Sequence, residues 1–169
     1  GKQAIFDNYG RQISPWADKI YRDGLINNES DYYIVKKDGK KTIFHKDGRQ
    51  ISQWFDYIYT YGLVRGQSNL YIAGNGNLVA IFDVNGNIIT PDWFDDISLE
   101  GLVKGTSEYY LAKKDDKWAI FDKDGNMITK DWFDDIEPDG LVKGQSNLYI
   151  AKKGNKYAIF DKDGNMISP

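Results

Sequence analysis

The chain has 169 residues, and its 22 basic and 25 acidic side chains leave a formal charge of −3 at pH 7. Both signs are interspersed and no basic stripe is available to neutralise phosphates, so nucleic acid is not an expected partner. There is no run of about 18 apolar residues to predict a membrane span, and the lack of cysteine excludes disulfides, thiolate catalysis and cysteine-ligated metals without fixing the compartment.

The first predicted element is a β-hairpin that begins with the apolar residues 4–6 and turns at Gly10. A short apolar run, a turn where glycine takes a positive φ at no steric cost, and a second apolar run are typical of a hairpin. Because consecutive residues such as Ile120 and Phe121 are both apolar, we expect the opening strand to be covered on both faces. The hairpin recurs with turn glycines Gly48, Gly86, Gly125 and Gly164.

The rest of each copy is predicted from its turns. In the fourth copy a connector at residues 131–136 is followed by predicted strands at residues 141–143, 148–151 and 156–160. Together with the hairpin this pattern predicts a four-stranded antiparallel meander and no helix longer than a turn. Asn28 stands where the later copies carry glycine, so a positive φ is predicted at that residue.

The tryptophans mark the period of the repeat. Trp54 follows Trp16 by 38 residues, and Trp93 and Trp132 follow at successive intervals of 39. A fixed period of this length indicates a tandem-repeat architecture. We therefore predict an all-β repeat domain over residues 1–169. Its predicted units are residues 4–41, 42–79, 80–118 and 119–157, with a partial unit at 158–169.

The number of hairpins bears on how the units are arranged. Four-stranded units of about 40 residues that stack face to face describe the blades of a β-propeller. This chain has five copies of the opening hairpin but only four of the Leu-Tyr-Ile hairpin, so no division into identical blades uses every strand. The sequence therefore favours an open stacked array, with the surplus hairpin capping one end, over a closed propeller.

The fourth copy resembles a known family. Lys-Trp-Ala-Ile-Phe-Asp-Lys-Asp-Gly at residues 117–125, followed by Trp-Phe-Asp-Asp at 132–135, looks like the bacterial WG-repeat family. The resemblance runs through the whole chain in phase, although Ala119 replaces the namesake glycine and the preceding tryptophan varies among the copies. The hairpin is more loosely similar to choline- and glucan-binding repeats of surface proteins. The resemblance implies a bacterial β-repeat architecture and assigns little function.

Several polar features would suggest chemistry, and each has a simpler structural explanation. The loop at residues 122–126 has oxygens at alternate positions, as calcium requires, but lacks a distal bidentate acid, so a turn without metal is favoured. Asp134 recurs in every copy and is predicted to accept backbone N–H bonds rather than act as a glycosidase carboxylate. His45 is the only histidine, and it cannot serve as base for four recurring turn serines. No enzyme activity and no cofactor are expected.

The tryptophans are the best candidates for a binding function. Exposed on successive units, they would form a ladder of flat faces for sugars or peptide prolines; alternatively, each fills the gap between units beside Phe55, Phe94 or Phe133, which the sequence favours. Three tyrosines that depart from the repeat lie together in the second connector. The candidate ligand-binding residues are Trp16, Trp54, Trp93, Trp132, Tyr57, Tyr59 and Tyr61.

These observations predict a non-enzymatic repeat module that binds a partner through an extended surface, a protein first and a cell-surface glycan second. The alternative is a structural role in self-assembly. An open stack leaves unpaired edges at its ends, so chains would add head to tail. Ligand identity, compartment and oligomeric state are left open by the sequence.

Overall fold

A computed structural model describes residues 1–168, and this part of the chain is entirely β and irregular structure. Its twelve strands form four antiparallel three-stranded sheets in chain order, none of them closed into a barrel. No helix within it is long and apolar enough to cross a membrane. The strands are β1 Lys19–Ile20, β2 Tyr32–Lys37, β3 Lys40–His45, β4 Tyr57–Ile58, β5 Leu70–Asn75, β6 Leu78–Asp83, β7 Asp96–Ile97, β8 Tyr109–Lys114, β9 Lys117–Asp122, β10 Asp135–Ile136, β11 Leu148–Lys153 and β12 Lys156–Asp161.

The long hairpin of each sheet is set by its two-residue turn. Between β8 and β9 the turn residues Asp115 and Asp116 have φ values of 52° and 62°. Two consecutive left-handed residues are typical of the turn whose twist matches that of paired strands. The turn fixes a register in which Tyr110 lies opposite Phe121. The equivalent register recurs in the other long hairpins for which pairing is described, β2–β3 and β11–β12.

The four-stranded meander predicted for each copy differs from the structure, because two of its strands are not strands. Residues 141–143 form a turn in which the N–H of Lys143 bonds to the carbonyl of Pro138 at 3.0 Å. The second arm of the opening hairpin is joined only by an isolated bridge, Phe121 to Met127. Instead, the third strand of the sheet comes from the predicted connector, as β10. The apolar residues in the turn suggested a strand because they are buried, but their backbone bonds stay local.

Two predictions are confirmed: the positive φ at Asn28 and the burial of both faces of the opening strand. Asn28 has a φ of 60°, in the left-handed region. Ile120 and Phe121 on β9 are 0% and 6% exposed, so the strand is covered on both faces. Both results follow from local chemistry, since a left-handed position selects glycine or asparagine and a strand with apolar residues at adjacent positions is typically covered on both faces.

The chain divides into two compact units, one of residues 1–76 with 81–88 and one of residues 77–80 with the described residues from 89 onward. In the first unit the core tyrosine Tyr33 stacks on Phe44, with ring centroids 6.0 Å apart. In the second unit Tyr110 stacks on Phe121 at 5.7 Å. Each stacked pair is formed across one hairpin, and aromatic pairs of this kind stabilise a sheet beyond the apolar area that they bury.

Candidate functional site

The recurrent connector aspartate has a structural role, as predicted. The Oδ2 of Asp134 accepts a hydrogen bond from the N–H of Gly154 at 2.7 Å, and its Oδ1 accepts one from the Lys117 ammonium at 2.6 Å. The bond from Lys117, followed by that from Gly154, lowers the pKa of Asp134. The carboxylates that accept the corresponding backbone bond in the other copies are those of Asp18, Asp56 and Asp95.

The loop that resembles part of a calcium site uses its carboxylate for the turn. The Oδ1 of Asp122 accepts the N–H groups of Asp124 and Asn126, both at 2.9 Å. In the copy with histidine, the Nδ1 of His45 accepts the N–H of Asp47 at 3.1 Å. Within residues 1–168 no cluster of three or more His, Cys, Asp or Glu side chains is arranged to hold a metal ion. The carboxylate in this loop therefore stabilises a turn.

Two of the four repeat tryptophans lie at the surface. Trp16 and Trp54 are 54% and 38% exposed, whereas Phe55 beside Trp54 is fully buried. Trp93 and Trp132 are half-buried. The interpretation of the tryptophans as core residues is therefore wrong for Trp16 and Trp54; the residue after each tryptophan enters the core instead.

Trp16 and Trp54 border the same pocket, an apolar slot of about 180 Å³. We call this pocket the Trp16–Trp54 slot. Half-buried Phe44 and exposed Lys37 also line it. The full set of lining residues is Pro15, Trp16, Ala17, Val35, Lys37, Phe44 and Trp54.

The slot exists because the first copy has a small residue where the others have a large one. Ala17 occupies the position held by phenylalanine in the later connectors. In the second compact unit that phenylalanine is Phe94. Its ring lies 5.3 Å from the ring of Phe121 and 6.5 Å from the ring of Trp132. With alanine at this position the connector supplies no phenylalanine to pack against Phe44 and Trp54 as Phe94 packs against Phe121 and Trp132, and the space remains open.

A second difference places a cation beside the slot. In the fourth copy Lys153 bonds to Asp131, the residue before Trp132, at 2.7 Å, and this bond raises the pKa of Lys153. Lys114 makes the same contact with Asp92 at 2.9 Å. In the first copy the residue before Trp16 is Pro15. Among the ion pairs of the described residues there is none for Lys37, the lysine equivalent to Lys153.

A wider pocket shares Lys37 and Trp54 with the slot. It has a volume of about 330 Å³ and is lined by Lys37, Asp38, Lys40 and Trp54. Lys37 and Trp54 are therefore shared by an apolar and a charged surface. A ligand seated against Trp54 would meet both, which gives the site one apolar and one cationic recognition element.

The three candidate tyrosines are half-buried and serve the local structure. Tyr57 lies in β4 opposite Gly74, and the N–H of Tyr59 bonds to the carbonyl of Ile72 at 2.8 Å. The ring of Tyr61 lies 4.3 Å from the Arg65 guanidinium. None of the three belongs to the described lining of the Trp16–Trp54 slot.

Pro15, Ala17 and Lys37 were not among the residues predicted from the sequence. The available signal was the comparison of copies: the first connector reads Pro-Trp-Ala where the third and fourth read Asp-Trp-Phe. Each difference is unremarkable alone. The two flank one tryptophan, and together they open the slot and leave Lys37 without its usual partner.

A comparison with protein-family models finds no match for this chain, and a search of curated proteins finds no similar sequence.

Proposed function

We propose that this protein is a non-enzymatic binding module, built as an open stacked array of WG-repeat-like units, that binds a protein partner through its tryptophan-bearing surface. The observation that supports this is the pair of exposed tryptophans, Trp16 and Trp54, that line one apolar slot. Tryptophan is enriched among the residues that dominate binding energy, because a large rigid ring buries much apolar area at small entropic cost.

The composition of the slot favours a peptide over a glycan. Its lining offers few side-chain hydrogen-bond donors, namely the Lys37 ammonium and the two indole N–H groups, and otherwise presents carbon. An apolar side chain of a peptide needs no more than this. A sugar needs several polar groups arranged around its hydroxyls, so a cell-surface glycan ranks second.

Parallel screens of a peptide library and a glycan array test the proposal. We expect peptides to bind the wild-type protein and to lose binding in Trp54→Ala. The control is Tyr9→Ala, since Tyr9 is 83% exposed in the first hairpin turn and lies outside the slot lining. Retained binding in Trp54→Ala, or no binding in either screen, contradicts the proposal, and a cooperative melting transition above the assay temperature shows that each variant is folded.

Self-assembly is the second candidate, favoured by exposed apolar side chains near both ends of the chain. Phe6 is 50% exposed, and Tyr157, Met166 and Ile167 are 54%, 59% and 54% exposed. Contiguous exposed apolar surface promotes association. Light scattering over a concentration series decides this: self-assembly predicts a mass that grows with concentration, and a monomer at the highest concentration rejects it.

A further inference from the structure

We propose that the Trp16–Trp54 slot binds a peptide segment in which an apolar side chain stands next to an acidic residue, with the acidic group pairing with Lys37. This inference deepens the proposed function and rests on it. It states which kind of peptide the slot would bind, and it follows from comparing the slot with the equivalent positions in the third and fourth copies.

The apolar half of the recognition follows from Ala17. In the second unit the space beside the tryptophan is filled from within the chain, because Phe94 packs 6.5 Å from Trp132 and 5.3 Å from Phe121. The slot beside Trp54 is the same position without the phenylalanine. An apolar side chain from a partner would restore the contacts that the second unit makes internally, which is the contribution expected of a central interface residue.

The charged half follows from Pro15. In the third and fourth copies the lysine at the end of the strand pairs with an aspartate next to the tryptophan, as Lys114 does with Asp92 and Lys153 with Asp131. Lys37 lacks this aspartate because the chain has proline there. A carboxylate from the partner, adjacent to the apolar group in the slot, would take the place of the missing aspartate and form a charge-assisted hydrogen bond.

The carboxylate of Asp18, whose charge attracts Lys37, is already engaged by other partners. The negative charge of Asp18 attracts Lys37, which contributes to a lowered pKa at Asp18, but the larger causes are its bonds to Lys2 and to the N–H of Asp38. The Oδ2 of Asp18 accepts that backbone bond at 2.9 Å. Asp18 is thus held in the strand turn, and the charge of Lys37 remains available to a ligand.

A pair of peptides provides the test. The probes are blocked hexapeptides with a central Leu-Asp or Asp-Leu pair, and their controls carry Asn in place of Asp. Binding is followed by the NMR shifts of the Trp16 and Trp54 indole N–H groups. We expect roughly threefold tighter binding of the Asp peptides at low salt, as an exposed ion pair provides, and loss of this preference at high salt.

Variants separate the two halves of the site. Pro15→Asp gives Lys37 an internal partner like that of Lys153, and should abolish the preference for Asp over Asn. The matched control is Gln53→Asp, next to Trp54, where the residue at the lysine position is Asn75; it should keep the preference. Ala17→Phe fills the slot and should prevent binding of all the peptides.

The outcomes distinguish this inference from the proposed function. Equal affinity for the Asp and Asn peptides, or a preference that survives Pro15→Asp, overturns the carboxylate pairing. If Ala17→Phe still removes binding in that case, the slot remains a peptide site and the proposed function stands. Binding of glucuronate at the two indoles in place of the peptides overturns the peptide assignment. Melting curves of each variant confirm folding.

Discussion

The hydroxyl of Ser107 donates a hydrogen bond to the carbonyl oxygen of Val142, 2.6 Å away and 35 residues along the chain. The same oxygen of Ser107 accepts the N–H of Tyr109 at 3.1 Å, so one hydroxyl closes its own turn and reaches the next copy. In the first unit Ser30 bonds to the carbonyl of Val64 at 2.5 Å. The turn serines Ser107 and Ser30 thus each link neighbouring copies.

Ser107→Ala should lower the free energy of unfolding by about 1 kcal/mol, because the carbonyl of Val142 loses a partner in a partly buried setting. Ser146→Ala is the matched control. Ser146 accepts the equivalent turn bond from Leu148 at 3.2 Å but is itself exposed, and its described bonds are all within its own turn. Urea denaturation of the two variants measures the difference. Equal losses would show that the bond to Val142 contributes nothing.

Gly144→Ala should be strongly destabilising because its backbone is both left-handed and tightly packed. Gly144 has a φ of 78°, and an added Cβ would lie 2.0 Å from the carbonyl oxygen of Thr106. Gly154→Ala is the control, since its φ is 61° but nothing lies within 4 Å of an added Cβ. We expect a loss of about 1–2 kcal/mol from left-handed strain alone at Gly154 and a clearly larger loss at Gly144. Thermal melts that rank the variants in the opposite order would contradict the packing argument.

Tyr110→Phe should stabilise the protein. The Tyr110 hydroxyl is buried and, among the described residues, has no hydrogen-bond partner, while the ring stacks on Phe121 at 5.7 Å. Phenylalanine keeps the stack and removes an unsatisfied polar group, so the free energy of unfolding should rise by about 1 kcal/mol. Tyr109→Phe, at a half-buried neighbour, should have little effect. A lower denaturation midpoint for Tyr110→Phe would reveal a bond to the hydroxyl.

Alkaline pH should destabilise the fold through the same tyrosines. Burial raises the pKa of Tyr149 from 10.0 to about 12, with a further contribution from the charge of Asp161. Because the folded state holds the proton more tightly, this stability is present below pH 10 and is lost as the pH rises from about 10 to 12. The loss is about 1.4 kcal/mol per pH unit for each such group. Denaturation curves between pH 8 and 12 measure this loss. Tyr149→Phe should reduce the slope of the free energy of unfolding against pH, and an unchanged slope would contradict the raised pKa of Tyr149.

Phe55→Ala and Trp54→Ala should differ sharply although the residues are adjacent. Phe55 is fully buried and its ring lies 5.1 Å from that of Phe82, so its removal should cost about 3–5 kcal/mol. Trp54 is 38% exposed, and we expect its removal to cost less than about 2 kcal/mol. Chemical denaturation compares the two. A larger loss of stability for Trp54→Ala would indicate that Trp54 acts as a core residue.

Local turn chemistry explains what could be predicted from the sequence. The positive φ of Asn28, the backbone bonds of Asp134 and the covered faces at Ile120 and Phe121 depend on residues close in the chain or on a simple apolar pattern. The same reasoning failed at residues 141–143, where Leu141 and Val142 are buried by a turn. An apolar run indicates that its residues are buried, but it does not indicate whether their backbone hydrogen bonds are local or between strands.

The sequence alone determined the spacing of the tryptophans, the long hairpins and the identity of the turn residues, because hairpins and turns depend on neighbours within one copy. Only the tertiary structure decided that Trp16 and Trp54 face solvent while Phe55 is buried, and that Pro15, Ala17 and Lys37 meet at one slot. The reason is physical: whether a ring is covered, or a charge is paired, depends on what a neighbouring copy places against it about 38 residues away, and no local pattern carries that information.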